Sequence, residues 1–365
     1  MTRTTPPRPR DIEALFPELA AYRGTTTRLH PRPGAPGVAD SSVGGPLLWP
    51  ADEPWPVCTE PHPRRRGRLV AHIHRARRVS DEAWARSPQT GPTDEERALL
   101  EELRREYRVE GLADTDPLPL LGVAQFYRRD VPDLLPGPDG CDLLQVFWCP
   151  FDRHGRTGYG MSLDLRWRHS SQVTEVLSQP PQPQVVGWDG YVPEPCVLHP
   201  EQVATYPFEG LLPEELAAGL AAWEKAGEER AAERKEHGRS HEEADGEPAG
   251  PGSVPSAPDE PERVPCYQYD LSIPPGWRAG GFASWHVTDA YAMNCRTCRE
   301  PMELLLTIDS LEWDGGNGSW MPLEERDASP RPSSTPTEVV VGRGGELNIF
   351  ACPADPAHPH DWSVQ

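Results

Sequence analysis

The sequence predicts an α+β protein dominated by antiparallel β structure, built from two related units with a few peripheral helices. Three observations lead there. Proline (45 of 365 residues) and glycine (32) are abundant, and proline disfavours long helices because it lacks an N–H and crowds the preceding turn. Short apolar runs bounded by turn residues recur, as strands require. Third, the later part of the chain echoes the earlier part. Pro117-Leu118-Pro119-Leu120-Leu121-Gly122-Val123-Ala124-Gln125 aligns with Pro301-Met302-Glu303-Leu304-Leu305-Leu306-Thr307-Ile308-Asp309. Leu144-Gln145-Val146-Phe147-Trp148-Cys149-Pro150 aligns with Leu347-Asn348-Ile349-Phe350-Ala351-Cys352-Pro353. Gly44-Gly45 and Trp49 are echoed by Gly280-Gly281 and Trp285, and Cys58 and Cys295 follow at nine and ten positions from their tryptophans. A turn, a cysteine-bearing loop and two strands thus occur twice in one order, which common origin explains better than coincidence.

Taken in order, residues 1–10 are basic and proline-rich and are expected to be disordered. Residues 11–223 form the first unit. Asp11 to Tyr22 reads as a short amphipathic helix capped by Asp11, with Ile12, Leu15, Phe16 and Leu19 on its core face. A helical insertion spans 63–116; Thr93 and Glu96 make a capping box for a helix from Thr93 to Arg108. Residues 118–127 and 142–149 read as buried strands, and Met161 to Arg168 alternates as a half-buried one. Pro213 opens a helix with Leu216, Leu220 and Trp223 on one stripe. From 224 to 264 apolar side chains almost vanish, so that segment is expected to be a disordered acidic, Pro-rich linker, with the preceding helix fraying into it from the N-terminal side. The second unit covers 265–365. Gly342-Arg343-Gly344-Gly345 precedes a strand and lacks the Lys-Ser/Thr ending of a phosphate loop, so it reads as a hairpin turn.

The formal net charge is −21. That excludes nucleic acid as an expected partner, because a phosphate backbone needs a basic surface. An acidic surface suits a basic protein, metal cations or plain solubility. No run approaches the roughly 18 apolar residues of a membrane span, and no apolar core follows the basic start as in a secretory signal. A cytoplasmic location is therefore expected, with the eight cysteines reduced.

Their spacing then points to metal. Cys295-Arg296-Thr297-Cys298 is a CxxC turn leading into a strand. Cys352 ends the strand that would pair beside it, and His358 or His360 lies six or eight residues further on. Cys295, Cys298, Cys352 and one of these histidines make a closed Cys3His set of the kind that holds structural zinc. Three alternatives stand beside it: buried core cysteines, a redox pair, which a helix N-terminus would favour but a strand does not, and catalytic zinc, which needs an open position. In the first unit Cys58, His62, Cys149 and His154 occupy the corresponding places, as a second metal site or a decayed one. Trp49, Trp55, Trp148 and Trp285 lie beside the repeated motifs and are expected to fill the core.

The Gly-Gly-Pro-Leu-Leu-Trp-Pro start at Gly44, the strand Pro119 to Phe126 and the strand Leu143 to Cys149 resemble the YwqG-like bacterial family, over most of 40–365 outside the insertion and linker. That resemblance implies a shared fold and no settled activity. The Cys295/Cys298 turn with the strands Pro301 to Ile308 and Ile349 to Cys352 distantly resembles the programmed cell death protein 2 family, whose eukaryotic members are linked to ribosomal-protein chaperoning. This implies a protein-binding β domain with cysteine-bound metal. The chain departs from it in having His358 or His360 where a further cysteine is expected. The functional expectation is a non-enzymatic, zinc-stabilised module that binds a basic protein, chaperone-like or toxin-neutralising. The alternative is a metal-dependent hydrolase with zinc in the first unit.

Overall fold

The computed structural model describes residues 2–61, 66–152, 154, 160–242, 264–313, 318–328 and 332–365, with the side chains of 66 and 235–242 left aside. His62, residues 243–263 of the expected linker, and most of the Gly315-Gly316-Asn317-Gly318 turn lie outside the described residues. The protein is a mixed α+β molecule, and its described strands form four sheets, paired antiparallel throughout.

The strands follow in chain order: β1 Gly24–Arg28, β2 Arg32–Pro33, β3 Ser42–Val43, β4 Val57–Cys58, β5 Arg66–Leu69, β6 Tyr107–Arg108, β7 Leu118–Pro119, β8 Leu121–Tyr127 and β9 Leu143–Trp148. Then come β10 Leu163–Arg168, β11 Val185–Val186, β12 Cys196–Val197, β13 Glu201–Thr205, β14 Arg278–Ala279, β15 Glu303–Asp309, β16 Glu346–Ala351 and β17 Asp361–Val364. One six-stranded sheet has the order β10-β9-β8-β3-β12-β2, and the other β13-β1-β14-β15-β16-β17. Their inner faces meet in one apolar core, with Val123, Val146, Trp148 and Leu165 from the first sheet and Leu306, Ile308, Ile349 and Trp362 from the second.

The two sheets share a pairing scheme. In the first, Val43 faces Ala124, and β8 pairs with β9 through a register shift between Gly122 and Ala124. In the second, Ala279 faces Leu306, and β15 pairs with β16 through a shift between Leu304 and Leu306. Gly44 and Gly280 follow β3 and β14 with φ of 63° and 66°, a left-handed conformation in which glycine carries no Cβ penalty. Leu121 faces Trp148 and Glu303 faces Ala351, so Leu121 matches Glu303, two residues from the alignment above. A slide of two keeps every side chain on its face.

Several elements differ from expectation for local reasons. The first helix stops after one turn, α1 Ile12–Leu15, and continues as a 3-10 segment over Pro17–Tyr22, because Pro17 cannot donate into the α ladder. Asp11 does cap it, accepting from Ala14 N at 3.1 Å; Leu15 turns outward. The insertion holds two helices, α2 Val70–Arg86 and α3 Asp94–Leu103. Thr93 and Glu96 close the capping box on α3, but the helix ends early because Tyr107 and Arg108 pair with β5. Helix α2 buries only Val70, Ile73 and Ala83, too thin a stripe to stand out in sequence. Helix α4, Glu214–Glu242, runs well into the segment expected to be linker, with Leu220 fully buried.

The N-terminal residues, expected to be disordered, are instead tied down. Thr5 bonds Glu201 through N–H and hydroxyl at 2.7 and 2.5 Å, Arg8 donates to Leu271 O and Ala204 O, and Arg3 pairs with Glu325 at 2.6 Å. Beneath this strap lies a buried charged network: His30 Nδ1 meets Glu312 at 2.6 Å and Arg32 grips Glu325 in a bidentate pair at 2.5 and 2.8 Å. Fork-to-fork arginine–carboxylate pairing is the strong form of such contacts. No helix among the described residues is long and apolar enough to cross a membrane.

Candidate metal centres

The outer face of each large sheet carries a cysteine–histidine group. In the second sheet, Asn294 and Pro301 bridge the base of a tight turn. Cys295 N donates to Glu300 O and Arg299 N to Cys295 O, both at 2.9 Å. Arg299 takes φ of 71° to close it. The turn points backbone N–H groups at sulfur: Thr297 N lies 3.4 Å from Cys295 Sγ. Strand β16 pairs beside β15 and delivers Cys352 to the same place. The chain then reverses, Ala357 N donating to Asp355 Oδ1 and His358 N to Asp355 O, which swings His358 back over the thiols.

Cys295, Cys298, Cys352 and His358 each bring a ligand atom within 4.8 Å of the others, so this group could hold a metal ion such as zinc. Cys298 Sγ lies 3.5 Å from Cys352 Sγ, and Cys295 Sγ lies 3.5 Å from His358 Nδ1. Tetrahedral zinc, with bonds of about 2.3 Å to sulfur and 2.0–2.1 Å to nitrogen, implies edges of about 3.8 and 3.5 Å. The donor set fits. His358 Nε2 faces Asp355 at 3.4 Å, the outer carboxylate that commonly orients a ligating histidine. Backbone N–H of Cys298, ahead of Thr297 and the neighbouring thiols, pulls Cys295 down to about 6. Hydrogen bonds to the Cys352 sulfur, and then to Cys295, raise His358. Of the two histidines expected as candidates, His358 joins the group. His360 does not; burial lowers it, and Asp164 and Asp361 are its acidic neighbours.

In the first sheet, β4 pairs with β7, setting Cys58 opposite Leu118. Cys149 follows β9, its N–H bonded to Ser162 O at 2.9 Å. His154 is fixed by paired backbone bonds with Gly160 at 3.0 Å, and its Nδ1 meets Glu60 Oε2 at 2.9 Å. Cys58, Cys149 and His154 are all buried, with ligand atoms within 4.8 Å of one another, and could hold a metal ion. The Cys149 side chain, against the opposing effect of burial and then with His154, holds the Cys58 thiol down to about 4. Burial would lower His154, but Cys58 and Glu60 raise it. His62, the expected fourth member, lies outside the described residues.

Each group sits in a matched apolar setting: Trp49, Leu120 and Phe147 around Cys58 and Cys149, and Trp285, Met302 and Phe350 around Cys295 and Cys352. Trp148, buried with these tryptophans, lies on the inner face, while Trp55 is only partly buried against Trp49 and Phe147. Spacing did not reveal Glu60 and Asp355, the carboxylates behind the histidines, although Asp355 stands three residues before His358 and Glu60 two after Cys58. Cys141, Cys196 and Cys266 join neither group; burial pushes the Cys196 thiol up to about 12.

No protein-family model matches the chain, and no curated protein matches it either.

Proposed function

We propose that both groups are structural zinc centres of an internally duplicated, non-enzymatic module that binds a basic protein, as a chaperone or a toxin-neutralising partner does. The observation that carries this reading is the closed Cys295–Cys298–Cys352–His358 set. Three thiolates and an imidazole fill a tetrahedral zinc, so the ion supplies cross-linking and leaves no position for substrate. Duplication is supported by the matched pairing, the matched bulges and the two positive-φ glycines. The charge of −21 supports a basic partner.

Protein purified without added metal is expected to contain about two zinc ions per chain, one for each Cys/His group. Chelation should lower the unfolding midpoint, because a bound metal contributes its binding energy to folding. No zinc at all, with the chain folded, ends this reading. Capture from a native lysate should retain basic proteins at low salt and release them at high salt.

A second reading rests on the first group, which supplies three ligands among the described residues. A metal there with an open position would polarise water or a carbonyl, as in a metal-dependent hydrolase. His154→Ala distinguishes the two: lost activity with unchanged stability marks catalysis, and lost stability marks a structural ion.

A further inference from the structure

The second sheet carries a cavity of about 360 Å³ lined by Tyr269, Ser284, His286, Asp309, Arg343 and Glu346, among others. The first sheet shows what its own scaffold does at that place. Tyr127 pairs with Leu143, and Asp309 pairs with Glu346, at corresponding ends of β8/β9 and β15/β16. Leu48 and Ser284 each stand three residues past their Gly-Gly turn. In the first sheet Leu48, Tyr127 and Leu143 pack together as an apolar cluster. In the second, the same three places hold a serine and two carboxylic acids, and the space is open.

Glu346 is only 5% exposed and lines this cavity. Its Oε1 takes a 3.4 Å bond from Asn348 and lies 3.7 Å from His286 Nε2. Its Oε2 accepts no hydrogen bond among the described residues, and the nearest cation, Arg278 Nη2, is 4.0 Å away. Asp309 accepts from Leu311 N and Gly276 N at 3.0 and 2.9 Å. Arg278, fully buried, donates through Nη1 to Phe282 O at 2.7 Å and through Nη2 to Ser284 Oγ at 3.4 Å, while its Nε has no hydrogen-bond partner among the described residues. One buried and one half-buried acid against one buried guanidinium leave a carboxylate without a cationic partner, which a low-dielectric site tolerates poorly. At the mouth, Tyr269 and His286 stack at 5.7 Å with planes 11° apart.

We propose that this cavity binds a ligand carrying a guanidinium or ammonium group, clamped by Glu346 and Asp309 and resting on the Tyr269–His286 stack. The cation completes the charge balance and donates to Glu346 Oε2, and aromatic faces attract such groups. An anion would meet two carboxylates; Arg343, exposed on the turn before β16, is the cation at the rim. The volume lies at the small end of ligand cavities, about 300–1,000 Å³, so it suits one amino-acid-sized group, free or presented on a peptide. The site stands apart from the metal centres and does not depend on the protein-partner reading.

In the empty cavity a proton does what the ligand cation would do. Burial, with the neighbouring Glu346, pushes Asp309 up to about 7. Asp309 faces Glu346 on β16, Arg278 on β14, His286, Tyr269 and Arg343, with Arg28 on β1 behind. Binding must release that proton, so affinity rises from pH 6 to pH 8.

The test is calorimetric titration of the full chain with L-arginine, with putrescine, with an acetylated and amidated arginine tripeptide, and with glutamate as the anionic control. Saturable binding of a cation and not of glutamate is expected, tighter at pH 8 than at pH 6. The tighter of free arginine and capped tripeptide identifies the source. Ser284→Leu, which restores the leucine of the first sheet, and Glu346→Gln should each weaken binding by about tenfold or more. The proposal is overturned by absence of saturable binding to the wild type, by equal binding of glutamate, or by a folded Ser284→Leu that binds as well as the wild type. Should both variants unfold, hydrogen exchange of the wild type decides. Arginine must then protect amides in 303–309 and 343–347, and unchanged exchange there refutes the site.

Discussion

His30 holds its ring between Glu312 and Glu201, at 2.6 and 3.4 Å, and this small cluster makes stability depend on acid. Burial alone would raise the Glu312 carboxyl, yet His30, Arg28 and Arg32 hold it at about 2, below its ordinary 4.5. A carboxyl depressed in the folded state contributes stability that is present above the unfolded value and lost as pH falls toward the folded one. Stability measured by denaturant titration should therefore fall between about pH 4.5 and pH 2. Glu312→Gln should flatten that limb. At neutral pH it should cost about 3–5 kcal/mol, because Arg28 and His30 stay buried without their partner. None of this was legible in the sequence. His30 and Glu312 lie 282 positions apart, and only the fold brings them together. The Cys295–Cys298 pair of the candidate metal group was legible because a short turn fixes both thiols by spacing alone. His358 and His360 could not be told apart, since the choice rests on the turn that Asp355 builds.

At the scale of elements, short signals with a local cause were readable. The capping box at Thr93 and the alternation of β10 depend on neighbours a few residues away, and β15 and β16, beside the Cys295–Cys298 turn, are where apolar runs placed them. Ends were less readable, because tertiary pairing overrides propensity: α3 yields to β6, and α4 continues past the point where apolar residues run out. The strand register also escaped the sequence, because a bulge lets apolar residues match at more than one offset. The positive-φ glycines are the sharpest element-level test. A Cβ on Gly280 would sit 2.6 Å from Asp133 O, and one on Gly44 the same distance from Glu194 O. Gly280→Ala is expected to cost about 1–3 kcal/mol through a left-handed conformation and a backbone clash, read as a shifted denaturant midpoint with unchanged slope.

For the whole molecule, the strand-rich, mostly antiparallel α+β fold was legible in the sequence, but which strands share a sheet was not. Strands β1 and β13 belong to the first stretch of chain, yet they complete the second sheet, with β1 pairing β14 at Thr27–Ala279 and Arg28–Arg278. A composition shift near residue 224 marks a change in the chain, and composition carries no trace of such an exchange. The consequence concerns dissection. A fragment of residues 265–365 would keep all four members of the Cys3His group but would bare the hydrogen-bonding rim of β14, a template for other chains. Such a fragment should self-associate in light scattering even when fully loaded with zinc. Adding back a peptide of residues 22–30 should suppress that association by seating as the missing neighbour.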